Sequence, residues 1–219
     1  MKRAAIHLFL AVFLAGSALA TTAEEAVARM EKTIRSLRTL RARFEQSYHS
    51  LSVSTPLKES GEIFYEAPGR MRWEYRVPED KVFLYRDETV SIYIPQDKQL
   101  TRSRISAEDL ESEILAFFLG TKALGELYLI EDGPVPSGAA GFRQVKLTPR
   151  EEGEYVSILL EIDEKSWFFR KAVFTEWSGN RQEFVFSRIR SNTALPPGAF
   201  ILKVPPDTEI IEDPEVIRR

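Results

Sequence analysis

The chain contains no cysteine among its 219 residues. That excludes disulfides, thiol nucleophiles, cysteine-ligated metals and acylation on an N-terminal cysteine. Histidine is almost as scarce, with His7 and His49 the only two. A histidine metal site needs at least two well-spaced ligands, and His49 beside Tyr48 reads as a surface or edge residue rather than a catalytic one. No Gly-x-Ser-x-Gly elbow, phosphate-binding glycine loop or His-Glu-x-x-His motif occurs. Neither sign of charge dominates. With 30 basic and 33 acidic residues, net −3, the chain is a poor candidate for nucleic acid or anionic membrane surfaces. Beyond the N-terminus, no apolar run approaches the roughly 20 residues of a membrane span.

The single long apolar run stands at the start. Lys2 and Arg3 precede Ala4 to Gly16, and Ala18-Leu19-Ala20 follows with small residues at its first and last positions. This is the pattern of a secretory leader, residues 1–20, with Thr21 the first mature residue. Residues 21–219 are then expected to form one exported, unanchored domain. Without disulfides, its stability must come from its core alone.

The mature chain should open with a helix. Thr22 and Glu25 fit a capping box, and Val27, Met30, Ile34 and Leu37 share one face as far as Arg38. Strands follow. Arg70-Met71-Arg72-Trp73-Glu74-Tyr75-Arg76 alternates throughout, placing Met71, Trp73 and Tyr75 on one face and the charged residues on the other. A second helix is expected after Ser106, with Leu110, Ile114, Phe117 and Phe118 as its apolar face and Gly120 as its stop. Further strands run to a short one over Ala199 to Val204, ahead of Pro205-Pro206 and a polar tail. Short turns between successive strands imply an antiparallel sheet. About ten strongly twisted strands tend to curl or close, with two helices left to cover the open face.

Enzymatic chemistry has one thin foothold. Glu161 and Asp163 share a strand face, as paired carboxylates would, but solvated outer-face charges explain them as well. The aromatic content says more: fourteen Phe, seven Tyr and three Trp, many at alternating strand positions. A packed core and a cavity lined by apolar groups both need such an inward face, and the pattern alone leaves the two open.

Several segments carry a resemblance. Arg41-Ala42-Arg43-Phe44-Glu45-Gln46 after an amphipathic helix contains Phe-x-Gln. Gly61-Glu62-Ile63-Phe64 is followed by Pro68-Gly69-Arg70-Met71-Arg72-Trp73-Glu74-Tyr75, then Pro78, Ile92-Tyr93-Ile94-Pro95, Leu115 to Gly120, Asn180 to Asn192 and Phe200 to Pro206. In that order, the set resembles the outer-membrane lipoprotein carrier family, LolA, over nearly all the mature chain.

The resemblance implies a mainly β fold with α: an incomplete, half-open antiparallel β-barrel of about eleven strands under a helical lid. It implies a periplasmic chaperone that holds the acyl chains of lipoproteins in an apolar cavity. Cargo would come from an inner-membrane ABC lipoprotein-release complex and pass to an outer-membrane lipoprotein acceptor. That acceptor needs an N-terminal cysteine, so its absence here favours the soluble carrier. The chain is expected to act as a monomer, with no cofactor, no metal and no catalytic residue. Met71, Trp73, Tyr75, Val90 and Ile92 are the expected cavity wall. Met30, Ile34, Ile114, Phe117 and Phe118 are the expected lid. The family's lid-latching arginine is replaced by Ala67, which leaves Arg70 or Arg72 as candidate substitutes. On this reading, Met71→Glu should stop cargo transfer and leave the fold intact. The competing readings are a lipid- or lipoprotein-sensing module on the same scaffold, a carboxylate-dependent hydrolase, and a structural envelope protein with a filled core.

Overall fold

The computed structural model describes residues 21–104, 123–134 and 141–212. The leader and the second amphipathic segment, with Ile114, Phe117 and Phe118, lie outside the described residues. Helix α1 (Ala23–Arg35) starts at the expected capping box: the Thr22 hydroxyl accepts from the Glu25 amide at 3.2 Å, and Glu25 accepts from the Thr22 amide at 3.4 Å. The helix ends three residues earlier than Arg38 because Ser36 closes it, its hydroxyl donating to the Thr33 carbonyl at 2.7 Å. Among the described residues no helix is long and apolar enough to cross a membrane.

The strands are β1 (Thr39–His49), β2 (Leu57–Glu66), β3 (Arg70–Val77), β4 (Lys81–Arg86), β5 (Thr89–Ile94), β6 (Gln99–Arg104), β7 (Tyr128–Asp132), β8 (Phe142–Pro149), β9 (Tyr155–Asp163), β10 (Phe168–Glu176), β11 (Arg181–Ser191) and β12 (Glu209–Glu212). A single helical turn, Leu124–Leu127, precedes β7. All twelve strands form one open sheet in the order β12-β6-β5-β4-β3-β2-β1-β11-β10-β9-β8-β7. The half-open antiparallel expectation holds for β1 to β11. The twelfth strand pairs with β6 in parallel, from Glu209 opposite Gln99 to Glu212 opposite Arg102.

The expected strand over Ala199 to Val204 is not one. Pro196, Pro197 and Gly198 turn the chain instead, with the Ala199 amide on the Pro196 carbonyl and the Ile201 amide on the Gly198 carbonyl. This segment crosses one face of β2 to β6 as a strap. Phe200 packs with Phe64 and Leu84, and Leu202 reaches Val82, Tyr93 and Leu100. Arg72 and Arg86 donate to the Ile201 and Phe200 carbonyls, each at 3.3 Å, so the strap's backbone finds partners without a ladder. The opposite face carries the main core, which joins α1 to residues of β1 to β5 and β7 to β11. Helix α1 rests on the β7, β8 and β10 side of it.

Candidate apolar binding face

The pleat decides which residues share the face beneath α1. Side chains alternate along β3, so Met71, Trp73 and Tyr75 point toward the main core and Arg70, Arg72, Glu74 and Arg76 point away. Register then sets two ladders. Met71 lies opposite Tyr65 and Tyr85, with Val90 beyond; Trp73 lies opposite Ile63 and Phe83, with Ile92 beyond. All five expected wall residues therefore stand on one face. Met71 is fully buried, Trp73 and Val90 nearly so, and Tyr75 and Ile92 are partly buried against the same core.

The Phe-x-Gln segment of β1 supplies the next row. Phe44 meets Trp73 edge-on at 4.7 Å and Tyr75 at 4.9 Å between ring centroids. Trp73 continues the contact to Phe184 at 5.7 Å, and Phe186 meets Phe169 at 5.3 Å. Edge-to-face contacts of this kind add about 0.5–1.5 kcal/mol each beyond the area they bury. They fix one rigid aromatic floor from β3 across β1 and β11 to β10. Polar tips are absorbed locally: the Trp73 Nε1–H donates to Met71 Sδ at 3.2 Å, and the Tyr75 hydroxyl donates to Gln46 Oε1 at 3.0 Å. Lys81 sits 4.1 Å above the Tyr75 ring and pairs with Glu59 at 2.6 Å. Burial first, then the Glu59 charge, pushes the Tyr75 phenol well above its ordinary range, so it remains a donor at any physiological pH. Tyr75→Phe should remove about 1–2 kcal/mol of stability, because the buried Gln46 oxygen loses its partner. A urea titration against the parent chain measures it.

Met30 and Ile34 both lie in the core beneath α1. The helix is also held by polar contacts that sequence reasoning missed. Glu31 Oε1 accepts from the Leu124 amide at 2.6 Å, and the Arg29 guanidinium stacks 4.7 Å over Trp167. Partners so distant in sequence leave no local signal.

Arg70 and Arg72 stand on the other face. Arg70 pairs with Glu66 at 2.9 Å, and Arg72 pairs with Glu74 at 2.5 Å besides holding the strap. A latch made by either would require the side chain to leave these partners and cross the sheet. Ala67, in the β2–β3 turn, gives its amide to the Arg38 carbonyl at 2.9 Å. An open cleft of about 320 Å³ also lies on that face, between the strap and Glu66, Arg70 and Arg86.

The carboxylates have structural partners. Glu161 is buried, not solvated as expected, and is paired with Arg170. Asp163 Oδ1 caps the following turn, accepting from the Lys165 and Ser166 amides. Both point away from the face that holds Ile158, Leu160 and Ile162. His49 ends β1 opposite Arg181.

The family model described as outer membrane lipoprotein carrier protein LolA matches residues 35–203. An outer-membrane lipoprotein carrier protein of Methylococcus capsulatus is 30% identical over 189 residues, 84% of this chain and 86% of its own. That of Dechloromonas aromatica is 25% identical over 186 residues, 85% and 87% of the two chains. Among solved structures, an uncharacterized conserved protein from Thermus thermophilus superposes with a TM-score of 0.56 at 15% identity, over 87% of this chain and 99% of its own. A chain from the Pseudomonas aeruginosa MucA/MucB complex gives 0.50 at 14% identity, over 83% of this chain and 61% of its own. At such identities the structural likeness concerns the fold alone.

Proposed function

Because the chain belongs to the LolA family of outer membrane lipoprotein carrier proteins, we propose that it receives the acyl chains of lipoproteins on the face beneath α1. The observation that carries this reading is the continuous apolar surface of Met71, Trp73, Tyr75, Val90 and Ile92, extended by Phe44 and Phe184 and roofed on one side by α1. The leader sends the chain to the periplasm, where an inner-membrane ABC release complex loads it and an outer-membrane lipoprotein acceptor unloads it.

The energetics suit a shuttle. Removing a methylene from water is worth about 0.8 kcal/mol, so one acyl chain holds on the order of 10 kcal/mol. Helix α1 buries Met30 and Ile34 against the sheet. Cargo must displace those contacts, and the net gain is smaller than full transfer into a bilayer. Binding is then firm enough for transit and weak enough for release. Helix α1 is the part that moves, and its ties to Leu124 and Trp167 set how readily it opens.

Incubating the purified chain with membrane vesicles bearing lipoproteins tests the proposal. A soluble complex of one chain with one lipoprotein is the expected product. Substrate turnover without a complex would instead favour a hydrolase and overturn the carrier.

A further inference from the structure

The exposed large apolar side chains are unevenly distributed. Five of the nine among the described residues, Leu51, Val53, Leu57, Val77 and Trp177, are between 54% and 77% exposed and sit at the end of the sheet where β1, β3 and β10 finish; Leu127 and Leu129 lie at the β7 edge, Ile210 on β12 and Ile201 on the strap. Charged turns lie at both ends, with Glu79, Asp80, Asp97 and Lys98 at this end and Arg70, Asp87, Glu88, Glu164 and Lys165 at the other, so the apolar residues at this end stand out against a charged background. Residues 50–57 form an uncharged run in a chain that is 29% charged, and residues 177–180 are uncharged as well.

The tip is also built. The Leu51 amide donates to Asn180 Oδ1 at 3.0 Å. Gly179, at φ +82, leaves room for the Leu51 side chain, which a Cβ there would approach to 2.9 Å. The Trp177 Nε1–H donates to the Gly153 carbonyl at 2.9 Å. Hydrogen-bonded turns thus hold apolar side chains outward, where folding alone gains nothing from them.

We infer that this end of the sheet docks on the interfacial layer of a lipid bilayer. Projecting aliphatic side chains, an exposed tryptophan and the flanking basic residues Lys58 and Arg181 match the chemistry of a shallow interfacial anchor. Residues 50–57 and 177–180 carry no ionisable side chain, so inserting these two turns alone strips no ion of its water. Glu151, Glu152 and Glu154 lie on the Trp177 side, so the surface fits a zwitterionic bilayer rather than an anionic one. The β1 row of Phe44, Gln46 and Tyr48 runs toward this same end, so docking would bring the margin of the apolar face to the lipid. Docking itself does not require that face to bind acyl chains.

The purified chain is floated with phosphatidylcholine vesicles whose acyl chains are brominated. The chain should float, and its tryptophan emission should be quenched through Trp177, since Trp73 is buried and Trp167 lies in the β9–β10 turn at the opposite end of the sheet; quenching should vanish in Trp177→Phe. The combined Leu51→Ser, Val53→Ser and Trp177→Ser variant should partition about tenfold less or worse. Its thermal unfolding and its uptake of a fluorescent fatty acid should match the parent, which separates this inference from the carrier reading. A parent chain that neither floats nor is quenched overturns it. Equal flotation by the triple variant also overturns it. So does a parent that ignores vesicles while the triple variant loses transfer to a purified protein acceptor, which would assign the tip to a protein partner.

Discussion

Gly61→Ala should destabilise the chain by about 3 kcal/mol or more, although it adds a single methyl group. A Cβ at Gly61 would lie 1.8 Å from the Glu74 carbonyl oxygen and 2.7 Å from its carbon, with Phe44 3.0 Å away. Two of those three atoms are backbone, so no rotamer change relieves the overlap and β2 must part from β3. The register already shifts between Ser60 and Gly61, which brings the strands unusually close. Parting them also pulls Trp73 and Tyr75 off Phe44, since all three rings meet beside this point. Against a typical total stability of roughly 5–15 kcal/mol, the loss is large. Gly153→Ala is the control, because a Cβ there meets nothing within 4 Å; its change should stay within about 0.5 kcal/mol. Urea midpoints of the two variants check the contrast, and equal midpoints would refute it.

That tight crossing was half legible in the sequence. Gly61-Glu62-Ile63-Phe64 marked a strand with a glycine inside it, and Phe44-x-Gln46 marked a partner, but only the register shows that they meet. Local patterns were read well where one periodicity governs. The capping box at Thr22 and the alternation of β3 needed no tertiary information. The second face of β2 and β4 to β6 was harder. A strand wet on one side was the natural expectation from β3, yet Phe64, Leu84 and Tyr93 bury their side of the sheet under the strap. The strap itself has apolar residues at strand-like spacing, and only its hydrogen bonds, which go to turns and arginines, separate it from a strand. Strand β12 is two isoleucines between two glutamates, too short to announce itself without its partner β6. That Met71, Trp73, Tyr75, Val90 and Ile92 share one face was legible because β3, β4 and β5 pair in simple hairpins, which carry one face across all three.

Met71→Glu is the second large effect, and the structure reverses what the sequence led us to expect. A wall residue at the mouth of a cavity could take a charge and leave the fold intact. Met71 is 0% exposed, with Tyr65 and Tyr85 beside it in register and the Trp73 Nε1–H directed at its sulfur. A carboxyl at such a site raises its folded pKa by roughly 3–5 units, and each unit is worth about 1.4 kcal/mol. The expected penalty at neutral pH is therefore roughly 4–7 kcal/mol, enough to unfold many domains of this size. Its sign with pH is distinctive. The folded form holds the proton more tightly than the unfolded form, so the ionisation penalty is absent below the unfolded carboxyl's pKa, near 4.3. It grows as pH rises toward the folded value. Urea unfolding of parent and variant at pH 5 and pH 8 should show a deficit that widens with pH; a constant deficit would mean that the carboxyl reaches water. Loss of cargo in Met71→Glu would then report unfolding and not the wall. Met71→Leu separates the two, since a near-isosteric apolar swap should change stability by less than about 1.5 kcal/mol. A folded Met71→Leu chain that carries lipoprotein normally, beside an unfolded Met71→Glu chain, would show that position 71 serves the carrier by being apolar and filled.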